Sequence, residues 1–183
     1  QTWEGGQRVP CMMRWPGRIP AGEVRSELIT SIDFFATIAG VAGAEVPADR
    51  TTDGVDMSPL LFASGPAESP RSEFFYYHGN NLEAVRDGKW KLHVRKEEEL
   101  IDELYDLEID PGETENVFAS NPDVVVRLAG LIAACQQDLG DQINGIAGND
   151  VRPAGRVDNP ETLTHYDPEH PYIYAEYDKA ERG

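Results

Sequence analysis

The side chains best placed for chemistry gather around His78. It closes the aromatic run Phe74-Phe75-Tyr76-Tyr77 and precedes Gly79-Asn80-Asn81, a turn signal. An imidazole at a strand end beside a turn can donate to an anionic oxygen or a sugar hydroxyl. Tyr77 and Asn81 are its hydrogen-bonding companions. A second set opens the chain, where Glu4 and Arg8 flank Gly5-Gly6. Glycine lacks Cβ, so the backbone there turns tightly or approaches another group closely. An ion pair across that turn can brace a loop and fix groups that meet a substrate. His93 ends Lys89-Trp90-Lys91-Leu92-His93, and alternation puts it on one face with two lysines, a face expected to be wet. Arg86 can meet an anion, but Asp87 beside it favours a structural pair. His165 and His170 lie among Tyr and Pro and read as turn packing. Trp3, Trp15 and Trp90 read as core.

These residues need elements to hold them. Residues 9–15 form a mostly apolar run ended by Pro16-Gly17, which predicts a buried strand and a sharp turn. Cys11, inside it, is expected to be a small buried residue. Ser31 or Asp33 is expected to cap a helix over residues 31–42, with Ile32, Phe35, Ile38 and Ala39 as its apolar face and Gly43 as its end. Residues 46–70 carry Pro, Gly and Asp turn chemistry, with one helical turn at 57–62. Strands follow at 74–77, 82–86 and 89–94, with Asp87-Gly88 as a hairpin signal, and a fourth at 103–107. Asp110-Pro111-Gly112-Glu113 is a turn. Asn121-Pro122 starts a helix striped by Val124, Val125, Leu128, Leu131, Ile132 and Cys135, ending at Gly140. It should pack across one face of the sheet.

The expected fold class is therefore α+β: a small antiparallel sheet of about four strands covered by a helix, preceded by a strand–helix piece of α/β type. The division predicted is 1–45 for that piece, 46–72 for a connector, 73–140 for the sheet and helix, and 141–183 for an irregular tail anchored by Tyr166, Tyr172, Tyr174 and Tyr177. Taken alone, residues 1–45 would expose faces meant for absent neighbours.

The net charge of −17 over 183 residues argues against nucleic acid or an anionic membrane as a partner. No run approaches the roughly 18 apolar residues of a membrane span. Cys11 and Cys135 are far apart and show no metal spacing, and both read as free thiols. The acidic stretch Asp53-Gly54-Val55-Asp56 lacks the spacing of a calcium loop and reads as a turn.

Trp3-Glu4-Gly5-Gly6-x-Arg8-Val9-Pro10, followed by Arg14-Trp15-Pro16-Gly17, resembles a signature of type I sulfatases, the arylsulfatase family. The likeness continues in order through Ser31-Ile32-Asp33, Asp53 to Asp56, Ala84-Val85-Arg86-x-Gly88-Lys89-Trp90-Lys91, Glu103 to Leu107, and Asp110 to Glu113. It implies the C-terminal part of a sulfuric-ester hydrolase of the alkaline-phosphatase-like superfamily. In that family the nucleophile is a formylglycine made within Cys-x-Pro-x-Arg. Cys11-Met12-Met13-Arg14 has no proline between its cysteine and arginine, so no catalytic residue is assigned here.

The resemblance places the nucleophile, an active-site lysine and the calcium ligands upstream of Gln1, so no cofactor is expected within this chain. It also implies a missing N-terminal sulfatase domain as partner, a sulfated small molecule or glycan as substrate, and a periplasmic, secreted or lysosomal setting. It puts His78, with Tyr77 and Asn81, at the rim of the substrate pocket. Glu4 and Arg8 become braces for the loop that bears the lysine. Two alternatives stay open: a related phosphodiesterase or phosphonate hydrolase, and a non-catalytic module that binds a glycan or protein through its aromatics.

Overall fold

A computed structural model describes residues 2–153, 155 and 158 of the chain. Two compact units divide at Val151, and among the described residues every helix and strand lies in the first, Gln1–Val151. His165, His170 and the four tail tyrosines lie outside the described residues.

Four strands form one antiparallel sheet in chain order: β1 (Glu73–His78), β2 (Asn81–Asp87), β3 (Trp90–Lys96) and β4 (Glu99–Asp106). Each strand carries aromatic or β-branched residues, which suit a pleated surface. The β1–β2 turn is Gly79-Asn80, between the paired His78 and Asn81. The β2–β3 turn is Gly88-Lys89, since Asp87 pairs with Trp90. The hairpin signal is thus offset by one residue. Gly88 takes φ 57°, which is why glycine stands there.

Helices α1 (Glu4–Gln7), α2 (Asp33–Val41) and α3 (Ser58–Phe62) precede the sheet, and α4 (Pro122–Leu139) follows it. Pro122 opens α4, and Asn121 is its N-cap. The Asn121 side chain points backward, donating to the Val117 carbonyl instead of capping. Gly140 ends α4 at φ 84°, where a Cβ would lie 2.8 Å from the carbonyl oxygens of both Ile146 and Ala147. The main core lies between α4 and one face of the sheet: Leu82, Val85, Leu92 and Leu104 meet Leu128, Ile132 and Cys135.

Several expectations fail, each for a physical reason. Residues 9–15 form no strand; Val9 and Met12 are 76% and 95% exposed, and Cys11 is exposed. An apolar run becomes a strand only when another strand takes its backbone groups, and no strand of this sheet does. Neither Ser31 nor Asp33 is the N-cap of α2; Ile32 is. Asp33 instead turns inward, where its carboxylate accepts from the Thr30 and Val55 amides and pairs with Arg71. Burial opposes ionisation of Asp33, but the Arg71 guanidinium and the two amides outweigh it and hold the carboxyl below its ordinary value. The apolar residues Ile32, Phe35 and Ile38 of the α2 region face solvent.

Candidate functional site

Alternation along β3 is real: Lys91 and His93 share one face, and Trp90 and Leu92 border or enter the helix-side core. The expected wet face, however, is buried. Lys91 and His93 are both 0% exposed. The covering side chains include Trp3 and Glu4 of the N-terminal segment and Glu113 of a later turn.

The contacts show how that cover is held. The Lys91 ammonium lies 2.9 Å from Glu4 Oε1 and 3.1 Å from Glu113 Oε1, and sits 4.2 Å from the Tyr76 ring centre. Tyr76 donates its hydroxyl to Glu4, and burial pushes that phenol upward in pKa, with the Glu4 charge adding to it. The Glu4 amide donates to Glu113 Oε2 at 2.6 Å. His93 Nε2 meets Glu113 Oε1 at 2.8 Å, while the Trp3 ring stacks on the imidazole with centroids 4.1 Å apart. His93 Nδ1 is buried without a hydrogen-bond partner among the described residues. Burial works against a charged Glu113, but His93, the Glu4 amide and Lys91 together keep its carboxyl below the ordinary glutamate value. Glu113 itself adopts φ 53°, a left-handed backbone uncommon outside glycine, asparagine and aspartate. The two buried carboxylates thus share the buried Lys91 ammonium, and His93 adds a hydrogen bond to Glu113.

Arg86 belongs to the same network. Its guanidinium lies 3.8 Å from Glu4 Oε2 and donates to the Gly88 carbonyl, so its partner is Glu4 and not the neighbouring Asp87. Asp87 instead pairs with Arg127 of α4. Arg8 meets Glu4 only at 4.0 Å, with its own side chain half exposed.

At the turn end of the sheet, His78, Asn81, Lys96, Glu97, Glu98 and Glu99 line an open cleft. Two of the three residues nominated for ligand contact therefore meet here. Asn81 also accepts the Ile143 amide through Oδ1, which steadies that wall. Tyr77 lies on the other side of the sheet. Its hydroxyl donates to the Gly140 carbonyl at 2.8 Å and touches Cys135 Sγ at 3.4 Å. Burial raises the pKa of both the Tyr77 phenol and the Cys135 thiol.

A residue not nominated from sequence joins cleft and network. The Glu83 carboxylate is 3% exposed; it accepts from Thr2 Oγ1 at 2.7 Å and from the Glu97 amide at 2.9 Å, and lies 3.4 Å from His78 Nδ1. The available signal was the break in alternation at Leu82-Glu83-Ala84-Val85, where a charged residue interrupts an apolar stretch.

A family profile described as N-sulphoglucosamine sulphohydrolase, C-terminal, matches residues 2–138. The chain belongs to this family. Its sulfatase relatives include arylsulfatase of Hemicentrotus pulcherrimus, 41% identical over 111 residues that cover 61% of this chain and 20% of that protein. Human arylsulfatase A is 36% identical over 156 residues, covering 69% of this chain and 30% of that protein. Pig N-acetylgalactosamine-6-sulfatase is 44% identical over 92 residues, or 50% of this chain and 17% of that protein.

Two solved structures extend the likeness to the fold. One, described under glycosaminoglycan metabolism by Bacteroides thetaiotaomicron, superposes with TM-score 0.60 at 26% identity, over 74% of this chain and 30% of its own. The other, solved with its substrate D-glucosamine-2-N,6-O-disulfate, gives TM-score 0.56 at 27% identity, over 73% of this chain and 28% of its own. This member of the sulfatase C-terminal family thus spans between 17% and 30% of those longer proteins. Its four-stranded sheet and α4 are the α+β subdomain expected from sequence.

Proposed function

We propose that this chain forms one wall of the substrate site of a sulfuric-ester hydrolase acting on a carbohydrate or aryl sulfate. The observation that carries the reading is the meeting of His78, Asn81 and Lys96 in one cleft of a sulfatase C-terminal fold. The Lys96 ammonium supplies a charged donor for a sulfate oxygen, on a lining that also carries the carboxylates of Glu97, Glu98 and Glu99. Asn81 offers a donor to a sugar hydroxyl. Tyr77, tied to Gly140, holds the strand behind His78. Glu4 seats the N-terminal segment against the sheet, and Arg8 screens it from outside. The relatives named above are sulfatases, which favours sulfate-ester over phosphoryl chemistry.

The nucleophile and the calcium that the resemblance implies are assigned to polypeptide other than these 183 residues. Among the described residues no group of three or more His, Cys, Asp or Glu could hold a metal ion. Also among the described residues, no helix is long and apolar enough to cross a membrane. The exposed apolar residues of α2 are assigned to contact with the remainder of the enzyme.

The test is hydrolysis. Purified chain is incubated with an aryl sulfate and with glucosamine 6-sulfate, and released sulfate is measured. No turnover above buffer is expected. Robust turnover would overturn the assignment of the nucleophile to other polypeptide.

A further inference from the structure

Glu83 is the residue that the β1–β2 ladder skips. Tyr76 pairs with Ala84 and Tyr77 with Leu82, which leaves Glu83 as the extra residue of a β-bulge. Bulges re-aim a side chain and gather beside functional sites. Here the bulge sends a carboxylate under the cleft, where it is 3% exposed. A buried carboxylate is costly unless it is paired and hydrogen-bonded. Glu83 accepts hydrogen bonds from Thr2, of the clamped N-terminal segment, and from the Glu97 amide of the cleft wall, and has His78 Nδ1 within ion-pair range at 3.4 Å. Glu97 takes φ 56°, so the β3–β4 turn is bent to bring its amide onto that carboxylate.

We propose that Glu83 is a positioning residue for His78, taking the imidazole Nδ1–H and turning Nε2 to the cleft. The tautomer of a histidine is set by the hydrogen bond that its other nitrogen makes. With Nδ1–H facing Glu83, a neutral His78 presents its Nε2 lone pair to a ligand hydroxyl, and a protonated one presents Nε2–H to a sulfate oxygen. The other groups facing the imidazole across the cleft are Asn81, Lys96 and the acidic run Glu97 to Glu99. None is as deeply buried as Glu83. The role in ligand binding rests on the cleft reading above; the Glu83–His78 geometry does not.

The experiment uses the 183-residue chain with 15N-labelled imidazoles and long-range 1H–15N correlation at a pH where His78 is neutral. His78 is assigned by loss of its signals in His78→Gln. The expected wild-type pattern is a pyrrole-type Nδ1 and a pyridine-type Nε2, with loss of that preference in Glu83→Met. A wild-type His78 protonated on Nε2 overturns the proposal and needs no Glu83 variant, so a variant that fails to fold leaves the test intact. An unchanged tautomer in a folded Glu83→Met also overturns it. Titration with glucosamine 6-sulfate separates the two readings. The expected tautomer with a ligand-sensitive Nε2 supports both, whereas the expected tautomer without a ligand response supports the positioning role and overturns the cleft assignment.

Discussion

Replacing Lys91 by Met tests whether the buried charges hold the N-terminal segment to the sheet. Methionine keeps most of the length and apolar volume, so the change removes mainly the charge. The wild-type ammonium is 0% exposed and bridges Glu4 at 2.9 Å and Glu113 at 3.1 Å. Its loss leaves two buried carboxylates with reduced compensation. Breaking a buried pair by removing one partner costs about 3–5 kcal/mol. Glu4 keeps Arg86 at 3.8 Å, and Glu113 keeps His93 at 2.8 Å, so the low end, about 3 kcal/mol, is expected. For a chain of this size that is a fall of roughly 6–12 °C in melting temperature, at about 2–4 °C per kcal/mol. The assay is urea unfolding followed by circular dichroism, with amide exchange at residues 2–7 reporting release of the segment. Adding Glu113→Gln should recover part of the loss, with a coupling energy of at least about 1 kcal/mol. A single-variant loss below about 1 kcal/mol, or additivity within about 0.5 kcal/mol, refutes the network as an anchor.

Acidification should act through Glu113 and Asp33, whose folded pKa values are lowered. Such groups contribute stability above their unfolded values and lose it as pH falls through the folded ones. Urea midpoints should therefore hold steady down to about pH 5 and then fall, with a shallower fall in Glu113→Gln. Asp33→Asn removes the buried anion paired with Arg71 and should cost about 3 kcal/mol by the same unfolding assay. Gly140→Ala forces a Cβ into two carbonyl oxygens at a positive φ and should cost about 1–3 kcal/mol in thermal melts. In a complete sulfatase carrying this chain, His78→Ala should raise KM for a sugar sulfate about tenfold or more, as expected for one lost charged hydrogen bond.

The sheet and α4 were legible because local signals agree with tertiary placement there. The aromatic run at 74–77, the glycines at 79 and 88, Asn121-Pro122 and Gly140 each act over a few residues. The buried second face was not legible, because a period of two names a face without naming what covers it. Trp3 and Glu4 lie about ninety residues from their partners His93 and Lys91, and nothing local joins them. The strand expected at 9–15 failed for the converse reason: apolar content was local, whereas strand pairing is not. His78 and Asn81 stood out by type and position, and the cleft brings them together. Glu83 escaped notice because its role depends on a bulge that only the paired strands define.

The cleft at the turn end of the sheet is the proposed meeting place of this chain with a sulfate ester, and every functional role assigned to its residues depends on that. Amide chemical-shift mapping with glucosamine 6-sulfate, set against glucosamine at equal ionic strength, addresses the claim directly. The predicted result is a sulfate-dependent, saturable change confined to His78, Asn81 and residues 96–99. Equal responses to both sugars, or changes centred elsewhere on the sheet, would contradict it.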